Sequence, residues 1–137
     1  MAATADADAR AFVATVGPSL RSAGLPPVLD LEEPGGLGGR DIAAWARQWL
    51  STVATLTGRT PAVYTARWYW NGFGTGGAEL ARYPLWVARY ADAPGTLPGG
   101  WATWSFWQHS STGRVPGIPA AVDLNVSCGS ALDLANE

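Results

Sequence analysis

The sequence predicts an α/β fold of about five strands. Two observations carry that reading. The first half alternates helix-like and strand-like stretches, which is the rhythm of a parallel βα sheet. The second half changes rhythm and offers three more strand-like stretches, joined by turn-rich segments too short for long helices.

Residues 6–23 read as a helix, because Ala11, Phe12, Val16 and Leu20 recur at helical spacing. Gly17-Pro18 is expected to break or kink it. Asp6 and Asp8 fall in its expected first turn, where the helix dipole favours acids. Pro26-Pro27 then launches a strand over residues 28–32, followed by the glycine-rich loop 34–39. The strongest helical pattern covers residues 40–57. Ile42, Trp45, Ala46, Trp49, Val53 and Leu56 form its apolar stripe, and Gly58 is a natural stop. Residues 61–65 form a second short strand. Residues 66–77 read as an aromatic loop with Trp68, Tyr69, Trp70 and Phe73, and residues 78–83 allow one helical turn. The remaining strands are expected at 85–90, 102–109 and 121–126, and with no repeat or linker the chain reads as one domain over residues 1–137.

Composition narrows the function. A chain of 137 residues, 47% hydrophobic and 15% charged, is an ordinary folded domain. A net charge of -2 gives no basic footprint for nucleic acid. No apolar run reaches the length of a membrane span. The acidic start lacks the basic end and apolar stretch of a signal peptide, so Sec export is not expected from this chain. All nine cationic residues are Arg, a trace of GC-rich coding more than of function. One cysteine, Cys128, excludes an intrachain disulfide and reads as a small buried hydrophobe or a free thiol. One histidine, His109, excludes a multi-His metal site, so neither metal nor cofactor is expected. Eight tryptophans stand out, and such rings serve either as core or as platforms for the C–H face of a sugar.

The chemistry concentrates in Val28-Leu29-Asp30-Leu31-Glu32. Strand side chains alternate, so Asp30 and Glu32 point the same way, with backbones roughly 6–7 Å apart. Two acids on one face of an apolar strand repel unless one holds a proton. The pattern suits general acid/base work, most commonly on a glycosidic bond. The structural alternative is one acid paired with a buried Arg, or a solvated strand end. Later strands bring further groups to a common face: Tyr64, then Trp86 and Tyr90, then Trp107 and Gln108, then Asp123. Taken singly, Tyr64 and Trp86 read as core. Asp123, inside Ala121-Val122-Asp123-Leu124-Asn125, needs a partner or a role.

These residues resemble the glycoside hydrolase family 25 lysozymes, the Chalaropsis-type N-acetylmuramidases. The matching segments are Pro27-Val28-Leu29-Asp30-Leu31-Glu32, Ala62-Val63-Tyr64-Thr65, Pro84-Leu85-Trp86-Val87-Ala88-Arg89-Tyr90, Trp107-Gln108-His109-Ser110-Ser111, Gly113-Arg114-Val115-Pro116-Gly117-Ile118 and Val122-Asp123-Leu124-Asn125. The resemblance implies a modified TIM-like (β/α) barrel whose last three strands lack long helices. It implies cleavage of the β-1,4 bond between N-acetylmuramic acid and N-acetylglucosamine in peptidoglycan, outside the cell or in its wall. By similarity, Glu32 is the general acid, which requires a raised pKa. Asp30 stays ionised, to stabilise the oxocarbenium-like state or to orient the N-acetyl group. Asp123 is a supporting acid, and Tyr64, Trp86, Tyr90, Trp107 and Gln108 line the sugar groove. Glu33, on the opposite face, reads as structural or solvated.

The chain departs from the family at its start, where members carry a first strand with another aspartate. Nothing before Asp30 matches it. The fold expected is therefore an incomplete barrel of about five strands, against about 250 residues for a whole one. Five strands leave open edges, which invite a dimer or a partner chain, a rearranged sheet, or a truncated gene product, of which truncation is the expectation. The functional alternatives are a silent glycan-binding remnant and a family 18 chitinase-like glycosidase.

Overall fold

Strand β1 (Val28–Leu31) begins where Pro26-Pro27 excludes a helix. Its burial alternates: Leu29 and Leu31 are inside, Asp30 is outside. The computed structural model describes residues 2–22, 24–73 and 77–129, and in it four strands follow. They are β2 (Ala62–Ala66), β3 (Leu85–Ala88), β4 (Phe106–Gly113) and β5 (Val122–Ser127). All five form one mixed sheet in chain order, with β1 to β4 parallel and β5 antiparallel to β4.

Parallel neighbours need a crossover. Helix α2 (Gly39–Thr57) supplies the first one and stops at Gly58, whose φ of 70° suits a left-handed cap. The β2–β3 crossover uses the short helix α3 (Arg67–Trp70) and 3₁₀ turns at Asn71–Phe73 and Ala78–Arg82. The β3–β4 connection contains no helix, as the change of rhythm in the sequence predicts.

Three expectations shift. Helix α1 (Ala2–Val16) starts before Asp6, so Asp6 lies beyond the first turn. It reaches sideways instead. Arg10 pairs with its Oδ2 at 2.8 Å, and Thr52 Oγ1 on α2 donates to its Oδ1 at 2.9 Å. These bonds hold the Asp6 carboxyl below its usual range. Gly17-Pro18 does end α1, and the chain continues as a 3₁₀ turn over Gly17–Arg21. The expected aromatic loop is partly helical, as α3. Strand β4 begins at Phe106 rather than at residue 102 because aromatic packing holds the preceding segment. Trp101 is buried, its Nε1 donates to the Tyr83 carbonyl at 2.8 Å, and its ring meets Trp70 edge-on at 4.6 Å.

Register carries the two faces across the sheet. Leu29, Val63 and Leu85 align, and so do Leu31, Thr65, Val87 and Trp107. These rows face the core, together with Ile42, Ala43, Ala46, Trp49, Leu50 and Val53 of α2 and Ala5 and Ala9 of α1. The Phe12 and Trp49 rings, 5.2 Å apart, join the two helices. Among the described residues, strands β1 and β5 are the edges, and the sheet does not close on itself. Among the described residues, no helix is long and apolar enough to cross a membrane.

Leu50 is fully buried at the centre of this packing. Leu50→Ala should lower stability by about 3 kcal/mol, read from the midpoint of urea unfolding.

Candidate active site

The face of the sheet away from the helices collects polar and aromatic groups. One register row runs Asp30, Tyr64, Trp86, Phe106. The next runs Ala66, Ala88, Gln108, Asn125, and alternation puts Glu32, just past the end of β1, on the same side. Asn125 faces Gln108 in regular register, and the shift in β4 falls just after it, between Gln108 and Ser110. Asp123 sits two residues before Asn125 on β5 and therefore shares its face.

The result is a recess of about 360 Å³ lined by Val28, Asp30, Glu32, Tyr64, Trp86, Gln108 and Asp123. All three predicted acids meet there. A larger cleft of about 680 Å³ adjoins it at the C-terminal ends of β2 and β3. Glu32 and Tyr64 line both spaces, and Tyr90 lines the cleft alone of the two. A cleft of this size lies within the usual range for ligand sites.

Hydrogen bonds fix the aromatic lining. Gln108 is only 5% exposed, and its Oε1 accepts from Tyr64 OH at 2.8 Å and from Tyr90 OH at 3.0 Å. Trp86 Nε1 donates to Asn125 Oδ1 at 2.8 Å, and the Trp86 ring meets Tyr64 edge-on at 5.1 Å.

Electrostatics single out Asp30. It is exposed, yet the surrounding protein displaces enough water to push its carboxyl up to about 6, aided by the charge and hydrogen bond of Glu32 and the charge of Glu33. The sequence reading left Asp30 as the ionised member of the pair; the structure raises its affinity for a proton above that of an ordinary carboxyl. The Tyr64 phenol is also raised, to about 12, by burial and then by Glu32, Tyr90, Asp30 and Asp123.

One expected groove residue is not brought to the cluster. Trp107 lies on the core side of β4, in the row with Leu31 and Val87, and its Nε1 donates to the Arg89 carbonyl at 2.8 Å. Its neighbour Gln108 takes the site face, and alternation excludes both from one side. His109 follows Trp107, with rings 5.5 Å apart. Cys128 is exposed and free, so of its two expected roles only the free thiol remains.

Four site residues escaped the sequence reading. Arg67, Trp68 and Arg89 line the cleft, and Asn125 holds Trp86. Trp68 is 72% exposed, the most open large apolar side chain among the described residues. Its exposure is set by the fold, and nothing in the sequence separates it from the buried Tyr69 and Trp70 beside it.

The sequence profile of Glycosyl hydrolases family 25 matches residues 1–118. The chain belongs to glycosyl hydrolase family 25. This family 25 chain is 38% identical over 122 residues to Lysozyme M1 of Streptomyces globisporus, covering 82% of itself and 42% of that protein. It is 39% identical over 94 residues to the N,O-diacetylmuramidase of Chalaropsis sp, covering 63% of itself and 44% of that enzyme. Its fold matches the bacterial lysozyme of Streptomyces coelicolor with a TM-score of 0.78 at 35% identity, over 96% of this chain and 66% of that one. The family 25 chain thus spans less than half the length of these curated relatives. Its open five-stranded sheet is part of the family's distorted barrel fold.

The folded chain holds the Asp30 proton more tightly than the unfolded chain does, from an ordinary value of 3.8. The resulting penalty is absent below the unfolded value and complete above the folded one. Asp30→Asn should therefore stabilise the protein at about pH 8 by about 1 kcal/mol, after discounting the shift for solvent screening. The gain should disappear at about pH 3, as read from paired thermal melts.

Proposed function

We propose that this chain carries the catalytic acids and part of the groove of a peptidoglycan muramidase. The bond cut is the β-1,4 link between N-acetylmuramic acid and N-acetylglucosamine. The observation that carries this reading is the position of Glu32, which lines both the acid recess and the open cleft. A glycan lying in the cleft, with a sugar face on Trp68 or Tyr90, brings its bridging oxygen toward Glu32. Glu32 donates a proton to that oxygen, and Asp30 stands ionised beside the positive charge developing on the ring. In that state it either steadies the oxocarbenium-like centre or orients the N-acetyl group. Asp123 adds a third carboxylate to the recess, and Tyr64, Trp86, Tyr90 and Gln108 shape it.

Similarity to a lysozyme at 38% identity and to an N,O-diacetylmuramidase at 39% supports the reading. The place of action proposed is accordingly the cell wall. The outer edge of β1 has no strand partner among the described residues, which supports pairing with a further polypeptide strand there.

Two measurements test the proposal. Clearing of cell-wall suspensions should fall at least about a hundredfold in Glu32→Gln, and the reducing ends released by the unsubstituted chain should be muramic acid. Clearing that survives Glu32→Gln, or glucosamine at the new ends, would end the assignment.

A further inference from the structure

The acid recess and the adjoining cleft differ in charge. Asp30, Glu32 and Asp123 line the recess, with no cation among its lining residues. The cleft is lined by one acid, Glu32, and by two cations, Arg67 and Arg89. The whole chain has a net charge of -2, so this local excess of positive charge is not inherited from composition.

The two arginines are placed as a pair. Ala66 of β2 and Ala88 of β3 are register partners, and Arg67 and Arg89 are the residues that follow them. Neighbouring parallel strands lie about 4.8 Å apart, so two guanidinium stems leave adjacent strand ends side by side. The alanines before them add little bulk, and the cleft opens over them. Arg89 is held from two directions. Its backbone N–H donates to the Gln108 carbonyl at 3.0 Å, and its carbonyl accepts from Trp107 Nε1 at 2.8 Å. Its guanidinium lies against Gly95, where an added Cβ would fall 2.8 Å from Cζ.

Among the described residues, neither guanidinium is in an ion pair. Among the described residues, the ion pairs are Arg10 with Asp6 and Arg47 with Glu79, and neither Arg67 nor Arg89 donates a side-chain hydrogen bond. Both side chains line one cleft, so their two like charges raise its positive potential. Such a cleft attracts an anion, and the planar guanidinium fork matches a carboxylate in geometry.

We infer that Arg67 and Arg89 are the specificity element of the cleft and receive a carboxylate carried on the muramyl side arm of the glycan. The inference rests on the muramidase reading and names which part of the substrate the cleft selects. A neutral chitin-like chain offers the two cations nothing. A muramyl residue offers an acid, either on its lactyl arm when that arm is free or on the stem peptide when one is attached.

The test uses the Glu32→Gln chain, so that binding is read without turnover. It is titrated calorimetrically with four glycans of equal length. One has free lactyl carboxylates, a second has those groups as methylamides, a third carries stem peptides, and the fourth is an N-acetylglucosamine oligomer. The expected result is that the free-acid or the peptide-bearing glycan binds about tenfold tighter than the methylamide and the neutral oligomer. Which of the two shows the gain identifies the source of the carboxylate. Arg67→Gln with Arg89→Gln should erase the gain and flatten its salt dependence, while the neutral oligomer changes by less than about twofold. Arg67→Gln alone, at an exposed position, is the second variant and should remove part of the gain. Equal binding of acid and amide, or equal weakening of all four glycans, would overturn the inference. So would unchanged binding accompanied by a shift of the clearing pH profile, which would mean the cations act only on Glu32. Selective binding of the acid glycan by a chain that never clears cell walls would sink the catalytic reading and leave this one standing.

Discussion

In-register pairing of β1 with β2 and β3 is the constraint on which the rest of the structure depends. Leu29 and Leu31 are sealed against Val63, Thr65 and the α2 stripe, and the residues between and after them are acids. A slip of β1 by one residue would expose both leucines and drive Asp30 and Glu32 into the core. Each leucine is worth about 2 kcal/mol of burial, and an unpaired buried carboxylate costs several more. The apolar side of the strand therefore locks the position of the polar side. The same alternation, carried through β2, β3 and β4, delivers Tyr64, Trp86 and Gln108 to the acids without any loop having to place them.

Much of this was legible in the sequence because it is a matter of period. The strand pentapeptide showed that Asp30 and Glu32 share a face, and the helix stripe with Gly58 placed α2 to within a residue. The loss of long helices after β2 followed from connection lengths alone. What stayed hidden were properties set by partners distant in sequence. The start of β4 depends on the Trp70–Trp101 contact, and Asp6 of α1 finds its partner Thr52 46 positions away. Trp107 and Gln108 are adjacent and both looked suited to a sugar groove, yet one strand cannot turn both to the same side. Only the pairing with β3 shows which one faces the acids.

The tryptophans divide along the same lines. Trp49, Trp70 and Trp101 are buried, with Trp70 packed so closely that an added Cβ on Gly99 would land on its indole. Trp86 is tethered by Asn125 at the recess, and Trp68 stands open at the cleft. Abundance of this residue in the sequence thus reflects two separate physical demands. One is filling a β3–β4 connection that has no helix to shield it. The other is presenting flat apolar surface to solvent.

The buried amide of Gln108 has a consequence for what the groove can recognise. Its single carbonyl oxygen takes the hydroxyl hydrogens of both Tyr64 and Tyr90. Each phenol has only one hydrogen to give, and the Tyr64 phenol keeps its own through the whole physiological range. Toward a visitor, both oxygens then offer lone pairs only. This wall of the groove reads hydroxyl and amide N–H groups, and it is blind to carbonyls.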